Sequence, residues 1–140
     1  MKKRFHIKEK DYKLACVYII ECVENNIYYV GSTKNYNKRV YQHVHHLENN
    51  KHPNIDMQKD YNNKCTFKFY IIKKLDNNNK TDLTIMHALE LCFMYEFIGD
   101  QKKLYNKNPE CTLNKLKDNA FCYFKFYTVW DDYRKIIKKK

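Results

Sequence analysis

The stretch of sequence that decides the fold is CVYIIECVENNIYYVG, residues 16–31. Residues 16–23 are rich in β-branched and aromatic side chains, which is typical of a β-strand. A turn is predicted over residues 24–26, because asparagine tolerates positive φ angles. Residues 27–31 then predict a returning strand, so the stretch is expected to form a β-hairpin.

Two tyrosines, Tyr18 and Tyr29, lie on opposite strands of this hairpin. A two-residue turn at Asn25 and Asn26 directs both side chains to the same face of the sheet. The same turn separates them diagonally by about four residues, or roughly 13 Å. We therefore expect the two tyrosines to contact different parts of a ligand, unless a bulge or another turn brings them together.

The chain beyond the hairpin alternates helical and extended patterns. Four further elements are predicted from periodicity and flanking polar residues: a helix over 35–48, a short helix over 54–61, a strand over 67–72 and a long helix over 82–98. Either Thr33 or Asn35 can cap the first helix, and Gly99 closes the last. The order β-β-α-α-β-α predicts an α/β (α+β) fold with a small three-stranded mixed or antiparallel sheet flanked by helices.

Length and charge pattern predict one domain with two flanking segments. The 140 residues suit a single domain. Residues 1–13 are charged and form a lead-in, and residues 14–115 form the domain. Residues 116–140 form an aromatic and basic C-terminal extension, which we expect to pack on the domain.

Composition narrows the functional classes. The chain carries 27 basic and 16 acidic side chains and a formal charge of +11, which favours a polyanionic partner such as nucleic acid. Mean hydropathy is -0.83, and no stretch of about 20 apolar residues is present. We therefore expect no membrane span, no export signal and an intracellular location.

The six cysteines contain no CxxC pair. Several lie inside apolar runs, and no export signal precedes them, so reduced and buried thiols are expected. A zinc site that uses His43, His45 or His46 with distant cysteines is the alternative. The cysteine and histidine spacings are not those of a zinc site.

Glu90 lies in the middle of the predicted helix that ends near residue 98, and this helix is apolar almost all round. Such a helix is mostly buried, and an unpaired buried carboxylate costs several kcal/mol. Glu90 therefore either lies on one exposed stripe with His87 or reaches a cleft. In a cleft, its hard oxygen ligands suit Mg²⁺.

A series of polar and aromatic residues follows the two tyrosines in a definite order. Arg39 follows Tyr29 by ten residues, and His43 follows Arg39 by four. The other members are Ser32, Thr33, His52, Asn54, Gln58, Tyr61 and Glu90. Each residue alone is most simply explained by packing or solvation, so the information lies in the ordered set.

This ordered set resembles the GIY-YIG nuclease family. The two family signatures appear here as Cys16-Val17-Tyr18 and as Tyr29-Val30-Gly31. Cys16 occupies a position that is often glycine in the family, and this change removes no catalytic group. The resemblance covers about residues 17–114.

The resemblance implies a divalent-metal-dependent DNA endonuclease that hydrolyses phosphodiester bonds. It implies a catalytic set of Tyr18, Tyr29, Arg39, His43 and Glu90. One ion, Mg²⁺ or Mn²⁺, is expected on Glu90, and a tyrosine, either Tyr18 or Tyr29, is expected to assist the attacking water. The residues expected to contact DNA phosphates are Lys34, Lys38, His52 and Asn114. A homodimer or a specificity partner is a further possibility, because no separate DNA-reading domain is apparent.

Two alternatives belong to other functional classes. The first is a catalytically inactive GIY-YIG-like protein that binds DNA through the same cleft. The second is a basic RNA-binding domain that stacks bases on Tyr123, Tyr127 and Trp130. The intact catalytic set favours the endonuclease over both.

Overall fold

The structure, a computed structural model, describes residues 3–75 and 83–106. Its strands are β1 (Phe5–Ile7), β2 (Cys16–Cys22), β3 (Ile27–Thr33), β4 (Phe67–Lys74) and β5 (Lys103–Leu104). Its helices are α1 (Tyr36–Glu48), α2 (Ile55–Asn62) and α3 (Leu83–Gly99). The strands form one mixed sheet in the order β1-β4-β2-β3-β5, so the α+β class is confirmed.

Within the described residues the sheet has five strands, and the prediction of three was wrong. The antiparallel centre β4-β2-β3 is the predicted part. β1 lies within the predicted lead-in and pairs in parallel with β4, with Phe5 opposite Phe67. β5 pairs in parallel with β3. Both missed strands are edge strands of three and two residues, which are too short to produce a readable period-2 pattern.

The hairpin connection is longer than predicted. Cys22 pairs with Ile27, so four residues separate the strands instead of two. Asn26 takes the left-handed conformation with φ 53°, as asparagine does more readily than most residues. The longer turn shifts the register by two residues, so that Tyr18 lies opposite Gly31. The predicted separation of roughly 13 Å between the tyrosines is therefore wrong.

Alternate side chains of β2 pack into two apolar layers on opposite faces of the sheet. Tyr18 and Ile20 face the layer that includes side chains of α1 and α2. Val17 and Ile19 face the layer that includes α3. The central strand is therefore buried on both faces, and the predicted helix around Glu90 is confirmed as a core helix.

Asparagine caps α1, as one of the two predicted caps, whereas a glutamine ends α3 where glycine was expected. Asn35 caps α1, because its side chain accepts a hydrogen bond from the Lys38 N–H. Gly99 does not close α3 in a left-handed conformation, since no glycine has positive φ in the described residues. Gln101 takes that conformation instead, with φ 61°, and its N–H donates to the Ile98 carbonyl, as in a helix-terminating turn.

Four cysteines of the described residues, Cys16, Cys22, Cys65 and Cys92, are buried free thiols, as predicted. Within residues 3–75 and 83–106, no helix combines the length and apolar character needed to cross a membrane. The predicted C-terminal extension and Asn114 lie outside the described residues.

Candidate active site

Tyr18 lies over Gly31 on the neighbouring strand. A Cβ atom built on Gly31 would lie 2.5 Å from both Cζ and the hydroxyl oxygen of Tyr18, a distance at which two such atoms clash. The absence of a side chain on Gly31 therefore leaves the space that the Tyr18 ring occupies. The ring centroids of Tyr18 and Tyr29 are 6.3 Å apart, so the two tyrosines form one site.

Helix α1 places two polar side chains against this pair. Arg39 and His43 lie one turn apart on the helix and face the same way. The Tyr18 hydroxyl lies 2.8 Å from His43 Nε2 and accepts a hydrogen bond from Arg39 Nε at 3.4 Å. Arg39 also hydrogen-bonds Tyr29. Only 3% of His43 is exposed, so the simple explanation of a solvated histidine does not apply.

A second histidine continues the hydrogen-bond chain behind His43. His52 Nδ1 accepts the Asn54 backbone N–H at 3.0 Å. Because a neutral imidazole carries one proton, His52 then carries it on Nε2. That atom lies 2.8 Å from His43 Nδ1, so His43 accepts there and carries its own proton on Nε2. His43 therefore donates to the oxygen of Tyr18.

Burial keeps both histidines neutral at pH 7. Burial, reinforced by the nearby Arg39 cation, lowers the pKa of His43 well below 6.5. Burial is also the main cause that lowers the pKa of His52 to about 4. Both directions agree with the neutral tautomers required by the hydrogen bonds.

Gln58 and Asn54 hold His52 in place. The Gln58 side chain accepts the His52 backbone N–H at 3.0 Å and donates to the Leu47 carbonyl at 3.1 Å. Asn54 caps α2 by accepting the Met57 N–H at 3.0 Å. Both residues belong to the ordered set in the sequence, and their contacts explain why polar side chains are needed there.

An open cavity of about 270 Å³ borders these side chains. Tyr29, Arg39, His43 and His52 contribute to its wall. Both ring nitrogens of His52 are bonded within the protein, so His52 supports the site and does not present a nitrogen to a phosphate in this arrangement. The expected phosphate contact of His52 is therefore not the geometry observed.

The two hydroxyls differ in their surroundings. Burial raises the pKa of Tyr18, and the neighbouring Arg39 acts in the opposite direction. Burial also raises the pKa of Tyr29, followed by the negative charge of Glu90. Both tyrosines are therefore protonated in the resting protein, and Arg39 is the group that lowers the cost of ionising either one.

Glu90 reaches from α3 toward the end of β3. Its Oε1 accepts a hydrogen bond from the Ser32 hydroxyl at 3.4 Å, and its Oε2 lies 3.9 Å from His87 Nδ1. Its side chain is 16% exposed. Glu90 therefore shares a helix edge with His87, as in the predicted exposed stripe. It also faces the hairpin residues, as the alternative position in a cleft requires.

The two lysines that were predicted to contact DNA phosphates lie at the surface of the protein. Lys34 and Lys38 are exposed around the start of α1. Asn106, which was not predicted from the sequence, donates to the Val30 carbonyl at 2.8 Å and accepts the Val30 N–H at 2.9 Å. Asn106 thus fixes the backbone of β3 beside Tyr29. It follows the two-residue strand β5, which is too short to show a period in the sequence.

Comparison with known proteins identifies the domain and its fold. The sequence model of the family described as the GIY-YIG catalytic domain matches residues 14–96, which is more than half of the chain. A solved structure titled "Structure of the Catalytic Domain of Homing Endonuclease I-TevI" has a similar fold, with a TM-score of 0.57 and 22% identity over 66% of this chain and 99% of that chain. No curated protein matches the chain.

Proposed function

The chain belongs to the GIY-YIG family, and we propose that it is a DNA endonuclease that hydrolyses phosphodiester bonds with one divalent metal ion, Mg²⁺ or Mn²⁺. The observation that carries the proposal is the hydrogen-bonded group of Tyr18, Arg39 and His43 beside Tyr29 and an open cavity. The formal charge of +11 supports a polyanionic substrate.

Tyr18 is the proposed general base. Its oxygen accepts hydrogen bonds from His43 Nε2 and Arg39 Nε, and both contacts stabilise a phenolate. The hydroxyl proton of Tyr18 leaves to solvent before the reaction, and the phenolate then takes one proton from the attacking water, so that Tyr18 is protonated again after the step. Tyr29 is the alternative base: burial, followed by the charge of Glu90, raises its pKa, and both causes also act on Tyr18, so the preference for Tyr18 rests on its contacts with His43 and Arg39.

Arg39 is the proposed phosphate ligand. Its guanidinium group is planar and has five N–H donors, so it can bond the tyrosines and still present a donor toward the cavity. A fixed cation at this position stabilises the charge that develops on the phosphate oxygens. Tyr29 lines the same cavity and orients the substrate.

Glu90 is the proposed metal ligand. A single partly buried carboxylate fits Mg²⁺, which keeps several water ligands and binds through one or two carboxylates together with substrate phosphates. In the described part of the chain, Glu90 belongs to no cluster of three or more metal-binding side chains, which favours one ion over two. When bound, the ion supplies Lewis acidity to the phosphate. Ser32 orients the carboxylate through its hydroxyl.

Lys34 and Lys38 are proposed to bind the DNA backbone, because they are exposed cations around the start of α1. Asn114 stays the asparagine predicted to contact a phosphate. Asn106, whose Oδ1 and Nδ2 are both bonded to Val30, is proposed instead to hold β3 in place beside Tyr29.

Plasmid cleavage tests the proposal. Supercoiled plasmid is incubated with purified full chain and Mg²⁺, with EDTA, and with the variant Glu90→Gln. Nicking or linearisation in Mg²⁺ is expected, with loss of cleavage in EDTA and in the variant. Glu96→Gln is the matched control, since it makes the same change on the same helix outside the proposed site.

Three results would contradict the proposal. The first is full activity of Glu90→Gln, and the second is an equal loss in Glu96→Gln with the fold intact. The third is tight, salt-sensitive DNA binding without cleavage on plasmid or branched DNA, which would identify an inactive DNA-binding relative.

A further inference from the structure

A second group of potential ligands lies away from the active site. The Sγ atoms of Cys22 and Cys65 and a carboxylate oxygen of Glu24 all lie within 4.8 Å of one another. Cys22 is the last residue of β2, four residues beyond Tyr18 on the same face of the strand. Neither thiol takes part in the proposed hydrolysis.

The sheet register brings the three residues together. The Val23 N–H donates to the Thr66 carbonyl at 2.9 Å, which places Cys22 diagonally opposite Cys65. The Thr66 N–H in turn donates to Glu24 Oε1 at 2.7 Å, and this bond holds the carboxylate beside the two thiols. The two cysteines lie far apart in the sequence, so their spacing gave no indication of a metal site.

We propose that Cys22, Cys65 and Glu24 bind one thiophilic divalent cation of the Zn²⁺ class. Two sulfurs and one carboxylate oxygen are a known type of zinc ligand set, with water completing a tetrahedron. Metal–ligand distances of about 2.0–2.3 Å require ligand atoms roughly 3.5–3.8 Å apart. Small side-chain rotations bring the three atoms to that spacing, and exposed Glu24 leaves a route from solvent.

The chemistry of the site separates it from the proposed Mg²⁺ site. Burial raises the pKa of Cys65 to about 12, so Cys65 is a neutral thiol in the metal-free site. Binding replaces the thiol protons, which leave to solvent, and no oxidation or reduction occurs. Only a cation with high affinity for thiolates compensates for the free energy needed to remove the thiol protons. This requirement excludes Mg²⁺ and favours Zn²⁺ or Cd²⁺.

Such an ion would link the β2–β3 turn to the start of β4. The link would stabilise the folded chain, because the unfolded chain does not hold the ligands together. At a free ion concentration one hundred times Kd, the folding equilibrium constant is expected to rise about 100-fold. The inference does not depend on nuclease activity, so the two proposals fail separately.

Titration with Cd²⁺ and Co²⁺ tests the site directly. Full chain is stripped of metal, kept reduced with a phosphine, and titrated while thiolate-to-metal charge-transfer absorption is recorded. One ion per chain is expected. The melting temperature is measured in parallel with Zn²⁺, and it is expected to rise.

Variants locate the ion. Cys22→Ser and Cys65→Ser are each expected to remove the charge-transfer band. Glu24→Gln changes an exposed side chain, so it is expected to stay folded and to weaken binding about tenfold. Cys92→Ser is the matched control, because Cys92 is also buried but belongs to α3 and to the apolar layer on the other face of the sheet.

Two outcomes overturn the proposal. One is a reduced, folded wild-type chain that gives no charge-transfer band and no rise in melting temperature. The other is a band that persists in the double variant of Cys22 and Cys65, or that disappears in Cys92→Ser with the fold intact.

Discussion

His52 sets the tautomer of His43, because His52 Nε2 donates across 2.8 Å to His43 Nδ1. The proton of His43 is thereby held on the nitrogen that faces Tyr18. The origin of this order is a backbone group, the Asn54 N–H, which cannot change its role as a donor. A fixed backbone donor thus determines which lone pairs and protons surround the tyrosine oxygen.

Replacing His52 with leucine is expected to release this constraint. His43 Nδ1 would then be a buried acceptor without its donor, which costs roughly 1–3 kcal/mol of unfolding free energy. Nitrogen NMR of the imidazole rings should show Nε2–H for both histidines in the wild type at pH 7, and a mixture of tautomers for His43 in the variant. A wild-type His43 protonated on Nδ1 would refute the hydrogen-bond order.

Replacing Gly31 with alanine is expected to displace Tyr18. The new Cβ would meet the ring at 2.5 Å, and overpacking of this kind costs about 1–3 kcal/mol. Gly99→Ala is the control, since a Cβ there has no neighbour within 4 Å and alanine favours a helix by up to about 1 kcal/mol. Urea denaturation measures both, and equal stability of the two variants would contradict the packing argument.

Stability is expected to fall as the pH decreases below neutrality. The pKa of His52 is about 4 in the folded chain against an ordinary value of 6.5, so between these values the unfolded chain binds the extra proton. His43 acts in the same direction, because its pKa is also lowered. The contribution of the two histidines to the unfolding free energy should therefore be constant above about pH 7 and fall by up to about 1.4 kcal/mol per pH unit for each histidine below about 6.5.

Urea titrations between about pH 7 and pH 5 measure this slope above the range in which most carboxylates titrate. His52→Gln should reduce it, because one of the two depressed pKa values is removed. A slope of zero in the wild type would show that the histidines are not held neutral by burial.

Replacing Arg39 with lysine is expected to lower the cleavage rate about 100-fold. A single ammonium group cannot bond both tyrosines and Gln42 and still present a planar pair of donors to a phosphate. Single-turnover cleavage at saturating DNA measures the rate. Arg4→Lys is the control, since Arg4 packs on Tyr61 and bonds the Cys65 carbonyl, so it should lower the melting temperature and leave the rate of the folded enzyme unchanged.

The hairpin, the three helices and the central strands were predictable, because the apolar residues in each follow a single periodicity, either helical or extended. The five proposed catalytic residues were also predictable, but only as an ordered set, since each alone is ordinary. The turn length was not predictable. Asn25 and Asn26 fit a two-residue turn as well as the last part of a four-residue one, and the cross-strand pairing energy that chooses between them involves both strands.

The sequence by itself determined the fold class and the family, and it predicted the residues of the proposed site. Tertiary structure alone decided how Tyr18 and Tyr29 meet, why His52 supports His43, and which thiols lie beside Glu24. The physical reason is that periodicity and capping act over a few residues. Register, burial and hydrogen-bond direction depend on partners that are distant in the chain, as Asn54 is from Tyr18 and Cys65 is from Cys22.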